Sequence, residues 1–340
     1  MKKTSYNIAV VGATGAVGQE MIKVLEQRNF PINKLLPIAS EDSLGKSIIF
    51  QDKEIDITTL LQNPFESVDI ALFSAGNSIS KEYAPIAAGA GAIVIDNSSA
   101  FRMEDDVPLI VPEVNKHAIG KYTNRGIISN PNCSTIQLVV ALNPLHKRYG
   151  IKRIVVATYQ ATSGAGIDAM DELSSQTIAL FSNKEIKTKV FQHRIAFNLI
   201  PQIDVFLEDK DTKEEAKIVN ETKKILEDDN IKVTATAVRV PVFYGHSEVV
   251  NIEFNKEVNL KDVYKILSDS EGIIVLDNPE KSEYPTPVFA SGKDDVFVGR
   301  IRRDNTVQNG LNMWIVADNL RKGAALNAVQ IAELLIEDYI

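Results

Sequence analysis

Cys133 is the only cysteine in the chain, and it stands in an Asn130-Pro-Asn-Cys-Ser134 run directly before a stretch with helical periodicity. Proline favours a turn there. The thiol then falls at a helix N-terminus, where the macrodipole stabilises a thiolate and free backbone N–H groups can receive an oxyanion. A buried cysteine acting as a small hydrophobe competes with this, and the polar, helix-initial position favours nucleophilic chemistry. His246 follows a Phe-Tyr-Gly turn at the start of a strand-like run. Histidine is the side chain suited to proton transfer near neutral pH, although a lone His is more often structural and the functional reading needs Cys133 nearby. Arg239 closes a strand face otherwise made of Ile231, Val233, Ala235 and Ala237. A guanidinium there needs an anion, either an internal carboxylate or a ligand carboxylate held bidentately. Gln160 ends another strand just before Ser163-Gly164-Ala165-Gly166, a turn open to a ligand's close approach or simply a loop. Arg102 and Lys217 read as solvated cations. Glu214 lies in a helix's first turn, where the dipole alone explains it.

A second constellation opens the chain. Gly12-Ala-Thr-Gly15-Ala-Val-Gly18 follows an apolar run at 6–11 and precedes a helical stretch at 19–28, with Met21, Val24, Leu25 and Arg28 on one face. Small residues there admit a pyrophosphate to the N–H groups at a helix N-terminus. The spacing is GxxGxxG rather than GxGxxG, so a ligand-free turn competes, and the strand before it decides for a dinucleotide. Ribose specificity should lie about 20 residues further on. Ser40-Glu41-Asp42-Ser43 stands there. Its carboxylates suit the free 2′-hydroxyl of NAD and repel the 2′-phosphate of NADP, unless the loop is merely solvated.

The elements that must position these residues follow from periodicity. Apolar runs at 35–40, 68–74 and 92–96 alternate with helical patterns, including 79–90. This predicts right-handed crossovers and a mostly parallel, Rossmann-type α/β sheet. After Cys133 the texture changes. An amphipathic helix at 134–149 precedes a strand at 154–159, and strands at 231–242 and 247–254 show the two-residue alternation of an antiparallel sheet. A charged run at 208–230 contains a helix with Ile218, Thr222, Ile225 and Leu226 inward and Thr212/Glu215 at capping-box spacing. A strand at 312–318 leads into a final helix at 319–340. The reading is a dinucleotide-binding first domain and a second, α+β domain that starts near residue 133.

Composition excludes several functions. The 340 residues suffice for about two domains. Thirty-seven Lys and Arg against 45 Asp and Glu give a net charge of −8, a poor match for nucleic acid or anionic membranes. One cysteine excludes an internal disulfide and multi-Cys zinc sites, and four scattered histidines predict no metal centre. A reducing cytoplasm fits, no apolar run suits a membrane span, and residues 8–17 read as a strand entering a turn rather than an export signal.

Taken together, GATGAVG, Asp96-Asn-Ser-Ser-Ala-Phe-Arg102, Asn130-Pro-Asn-Cys-Ser134, Thr158-Tyr-Gln-Ala-Thr-Ser-Gly164 and Arg239-(x6)-His246 resemble the aspartate-β-semialdehyde dehydrogenase family in order over nearly the whole chain. The resemblance implies a homodimer whose subunit has an NADP-binding Rossmann domain of 1–132 with 319–340 and a catalytic and dimerisation domain of 133–318. It would reduce L-aspartyl 4-phosphate to L-aspartate 4-semialdehyde with NADPH. That step feeds diaminopimelate, lysine, threonine, methionine and isoleucine synthesis. It implies that Cys133 forms a thioester as phosphate leaves, that hydride transfer gives a hemithioacetal, and that this collapses to the aldehyde. His246 is then the acid–base, and Gln160 orients the intermediate. Arg239 and Glu214 grip the substrate's carboxylate and amine, while Arg102, Asn132 and Lys217 hold the phosphate. Cofactor contacts fall to Gly12, Thr14, Gly15, Ala16, Val17, Ser40, Ser74, Gly76, Ser163, Gly164 and Asn319. Relatives often carry an arginine after the second strand where this chain has Glu41-Asp42, so NADP is expected with NAD used better than usual. A reductase of a longer acyl phosphate, such as N-acetyl-glutamyl phosphate, is the nearest alternative. A catalytically dead dinucleotide sensor would have lost Cys133 or His246.

Overall fold

The computed structural model describes residues 3–340. Their packing divides the chain into two compact units, 1–132 with 324–340 and 133–323.

The first unit contains β1 (Tyr6–Val11), α1 (Ala16–Gln27), β2 (Ile32–Ile38), β3 (Ser47–Phe50), β4 (Lys53–Asp56), β5 (Ile70–Phe73), α2 (Asn77–Gly89), β6 (Ile93–Asp96), α3 (Pro112–Asn115) and β7 (Ile127–Ser129). Five strands pair in parallel in the order β2-β1-β5-β6-β7, and β3 and β4 form a separate hairpin. The short strands read as unbroken apolar runs because both sheet faces are covered. Ile8 and Val10 pack with Met21, Leu25 and the C-terminal helix Leu326–Asp338. Ala9 and Val11 turn the other way, toward Phe65, Phe73 and Ala87. The strand order reverses beside β1, so a crevice opens at the carboxyl ends of β1 and β5, the usual ligand position in such sheets.

The second unit runs α4 (Cys133–Tyr149), β8 (Ile151–Gln160), α5 (Ile167–Phe181), α6 (Lys213–Leu226), β9 (Lys232–Arg239), β10 (His246–Phe254), α7 (Leu260–Ser268), β11 (Ile273–Val275), α8 (Pro287–Ala290), β12 (Val296–Asp304) and β13 (Gly310–Ala317). Its six-stranded sheet has the order β11-β12-β13-β10-β8-β9.

Several sequence expectations change here. Strand β9 pairs with β8 in parallel, not antiparallel, because α5 and α6 carry the chain across between them. It stops at Arg239, two residues before Pro241, which has no N–H for the ladder. Helix α4 is buried almost all round from Ser134 to Asn143, since α6, α7 and the sheet all pack on it. Helix α1 starts at Ala16, with extended Gly15 as its N-cap. The final helix starts only at Leu326, after a wide turn at Arg321–Ala325. Residues 319–323 accordingly belong to the second unit, where Asp318 Oδ1 accepts from the N–H groups of Leu320 and Arg321 and Arg321 pairs with Asp294.

Helix α6 begins as its residues dictate. Thr212 Oγ1 accepts from Glu215 N, and Glu215 Oε2 accepts from Thr212 N at 2.6 Å. Glu215 Oε1 also accepts from Ala237 N, which ties the helix start to β9. Thr212→Ala should therefore cost about 1 kcal/mol of unfolding free energy, read as a lower urea midpoint at unchanged m-value. An unchanged midpoint would refute the cap's contribution.

Candidate active site

Cross-strand register gathers the chemistry at one end of the large sheet. Gln160 on β8 stands opposite Arg239 on β9, and His246 on β10 stands opposite Ala317 on β13. Strands β8 and β10 are paired from Tyr159 and Ser247 onward, so Gln160 and His246 adjoin. The Ala161 peptide joins the row from both sides. Its N–H donates to His246 Nδ1 at 3.1 Å, and its carbonyl accepts from Arg239 Nη1 at 2.7 Å.

These bonds fix protonation as well as position. Burial, reinforced by the Arg239 charge, holds the His246 ring well below the usual imidazole range, so it is neutral at pH 7. With Nδ1 accepting, the proton sits on Nε2, which has no partner among the described residues and is free to donate. Acting as a base at Nε2 requires the other tautomer and loss of the Ala161 bond.

Arg239 answers the question its apolar face raised. Its guanidinium donates to a backbone carbonyl; burial lowers its pKa, while the Glu214 and Cys133 charges oppose that effect. Glu214 is buried and doubly engaged, accepting from Gln160 Nε2 and Lys217 Nζ, both at 3.1 Å. Lys217 is no solvated cation. Its side chain is 19% exposed and also pairs with Asp204 at 3.0 Å. Burial opposes the Lys217 charge, but Glu214 and Asp204 outweigh it and raise the pKa.

Cys133 is the first residue of α4 and half-buried. Gly323 presses against it, since a Cβ there would come within 3.0 Å of the Cys133 Cβ. Gly164, expected at the cofactor, is exposed and borders this row. Its φ is ordinary, but a Cβ would lie 3.0 Å from Arg239 Nη1 and 3.1 Å from His246 Nε2. Asn319 joins two turns, accepting from Gly245 N at 2.9 Å and pairing with Ser163 Oγ. It thereby fixes the loop that delivers His246.

In the first unit the glycine turn fits a dinucleotide. Gly12 has φ +85°, and a Cβ on it would lie 2.5 Å from Ser74 O; one on Gly18 would strike Gly12 O at 2.1 Å. Those two glycines close the turn, while Gly15 leaves the α1 N-terminus open without a side-chain cap. Thr14, Ala16 and Val17 line the same turn, with Ser74 and exposed Gly76 after β5. Ser40 is exposed and precedes a turn formed by Glu41, Asp42 and Ser43. Arg102, expected in solvent, is buried; its Nε donates to Asn130 O and its Nη2 to Asn97 O, both at 2.9 Å. It braces the strand end that leads to Asn132, itself buried.

A model of the semialdehyde dehydrogenase NAD-binding domain matches residues 7–122, and one of the dimerisation domain of those enzymes matches 142–322. The aspartate-semialdehyde dehydrogenase of Aquifex aeolicus is 56% identical over 335 residues, 98% of each chain. The Bacillus subtilis enzyme is 49% identical over 97% of each. This chain belongs to the aspartate-semialdehyde dehydrogenase family. It is an oxidoreductase. The Vibrio cholerae aspartate-semialdehyde dehydrogenase II, solved in complex with ASA, superposes with TM-score 0.97 at 50% identity, covering 99% of this chain and 100% of that one. A Candida albicans member of the family, solved with NADP, superposes with TM-score 0.75 at 26% identity over 97% and 98%.

Sequence reasoning missed Asp204, Thr158, Gly323 and the Ala161 backbone. Only Gly323 left a signal, as a glycine inside a helical pattern. Gly164→Ala should keep the fold and lower kcat by at least tenfold, in line with small misplacements of reacting groups; full activity would refute the close packing. In a ring-proton NMR titration His246 should protonate at a lower pH than His146, whose pKa burial also lowers. Since folding depresses the His246 pKa, its contribution to stability is present above pH 6.5 and is lost as pH falls through the folded value. Titration at 6.5 or higher would contradict the burial.

Proposed function

We propose that this chain makes L-aspartate 4-semialdehyde from L-aspartyl 4-phosphate through a thioester on Cys133, with NADP as the preferred nicotinamide cofactor. The observation that carries the reading is the placement of Arg239, held by Ala161 beside His246 and within the electrostatic reach of both Cys133 and Glu214. The Cys133 sulfur attacks the acyl carbon, a C–S bond forms, and the C–O bond to the departing phosphate breaks. Splitting the transfer in this way replaces one difficult step by two easier ones. The bound dinucleotide supplies the hydride. His246 Nε2–H donates to the substrate carbonyl oxygen as negative charge develops there, a contribution of about 3 kcal/mol for one fixed donor. Breakage of the C–S bond then returns the electron pair to Cys133 and frees the aldehyde.

Arg239 takes the non-reacting carboxylate, since a guanidinium fork fixes orientation as well as charge. Glu214 takes the amine, and Gln160, anchored on Glu214, orients the thioester. Arg102, Asn132 and Lys217 receive the phosphate. The glycine turn, Ser40, Ser74, Gly76, Ser163, Gly164 and Asn319 are assigned to the dinucleotide, Gly164 and Asn319 through the shape of the turns they hold. The exposed Glu41 and Asp42 after β2 favour a free 2′-hydroxyl, so NAD serves better than an arginine at that turn would allow. A homodimer accords with the dimerisation-domain match, and one reduced cysteine accords with the cytoplasm.

The test is nicotinamide reduction in the reverse direction, with L-aspartate semialdehyde, phosphate and either NADP or NAD. Turnover should require phosphate and vanish in Cys133→Ser, and Arg239→Lys should lose at least a hundredfold in kcat/KM, as expected when a bidentate clamp is removed. Phosphate-independent turnover would overturn the acyl-phosphate chemistry. An NADP lead of several orders of magnitude would overturn the part given to Glu41 and Asp42.

A further inference from the structure

Behind the catalytic row lies a second row on the same sheet face. Glu248 stands two residues after His246 on β10, so both side chains share a face. Its cross-strand neighbours are Thr158 on β8 and Ile315 on β13. Gln137 stands one helical turn after Cys133 on α4, and α4 packs on β10. The helix of the nucleophile and the strand of the acid–base therefore meet again one layer deeper. Glu248 and Gln137 are both 0% exposed, and their side chains lie within hydrogen-bonding reach of each other. By hydrogen-bond geometry, their four polar atoms have no partner among the described residues.

We propose that Glu248 and Gln137 form a positioning pair that sets α4 against β10 and so fixes where the Cys133 thiol stands relative to the His246 ring. The groups around Glu248 carry no compensating charge: the Gln137 amide on α4, the Thr158 hydroxyl on β8, Ile315 on β13, and on β10 itself the neutral His246 ring and Val250. Burial raises the Glu248 carboxyl well above the usual carboxylate range, and the Gln137 hydrogen bond only partly opposes it. Burial thus favours the neutral acid over the carboxylate. In the acid form the pair is complementary: a slight approach would let its O–H donate to Gln137 Oε1 and its carbonyl oxygen accept from Gln137 Nε2–H, satisfying all four atoms at once. Thr158 extends the contact to the catalytic row, since its Oγ1 accepts from Gln160 Nε2 at 3.3 Å.

This inference rests on Cys133 and His246 being nucleophile and acid–base, and its test separates the two claims. Cys133 is the only thiol, so its alkylation by iodoacetamide between pH 5 and 9 reads thiolate formation with no substrate present. Phosphate-dependent turnover is measured beside it in the full-length protein, for wild type, Glu248→Gln, Glu248→Leu and Gln137→Leu. Glu248→Gln, which keeps the shape and the neutral hydrogen bonds, should retain the wild-type alkylation profile and kcat. Glu248→Leu and Gln137→Leu should shift the thiol titration by about one pH unit or more and lower kcat about tenfold or more, with KM little changed. If Glu248→Leu does not fold, Gln137→Leu breaks the pair from the other side. An unmoved profile and kcat in a folded leucine variant, or Glu248→Gln as impaired as the leucine variants, would overturn the pair. Absence of turnover in the wild type would overturn the functional reading instead, while the alkylation profiles would still decide the pair.

Discussion

The site depends on one peptide group. Ala161 gives its N–H to His246 and its C=O to Arg239, so a single rigid plane sets the ring's tautomer and the guanidinium's position together. The rest of the second unit holds that plane still. Strand β8 runs into it, Thr162 and Ser163 are bonded to the backbone of Val242 and Phe243, and Asn319 fastens the turn to Gly245. Buried polar groups in such a network gain strength from the low surrounding dielectric only when each is satisfied. The Nε2–H of His246 is the member left open among the described residues, and it is the one to which the proposed chemistry assigns the proton transfer.

Much of this was legible in the sequence, for reasons that can be named. The covered parallel sheet announced itself as short apolar runs between helical patterns, and Thr212 with Glu215 marked a helix start by side-chain chemistry alone. Cys133 was identifiable because proline and asparagine before it forced a turn and helical periodicity followed. The family resemblance supplied what spacing could not, namely which distant residues share a site. The misreadings have a common cause. Lys217 and Arg102 looked solvated because a charge reveals its partner only in three dimensions, and the partners, Asp204 and two backbone carbonyls, leave no local pattern.

Strand direction escaped for a different reason. Alternation in β9 reports a half-covered face, which parallel and antiparallel pairing can both provide. The direction is set by the chain that crosses over α5 and α6, and periodicity within β9 carries no record of it. Gly164 shows the same limit at a single position. Its neighbours suggested a cofactor turn, and they carry no sign of the guanidinium and imidazole that β9 and β10 also bring against it.

The parallel pairing of β8 with β9 also bears on the order in which the protein matures. Bringing Arg239 beside Gln160 closes a long loop containing two helices, and the Ala161–His246 bond spans 85 residues. Contacts of that sequence separation form slowly, because loop-closure entropy is lost before they stabilise anything. The local pieces, such as the capped start of α6, can form early, while the catalytic row waits for the whole sheet. Recovery of activity on refolding thus reports completion of long-range topology, and partly folded forms rich in helix remain catalytically silent.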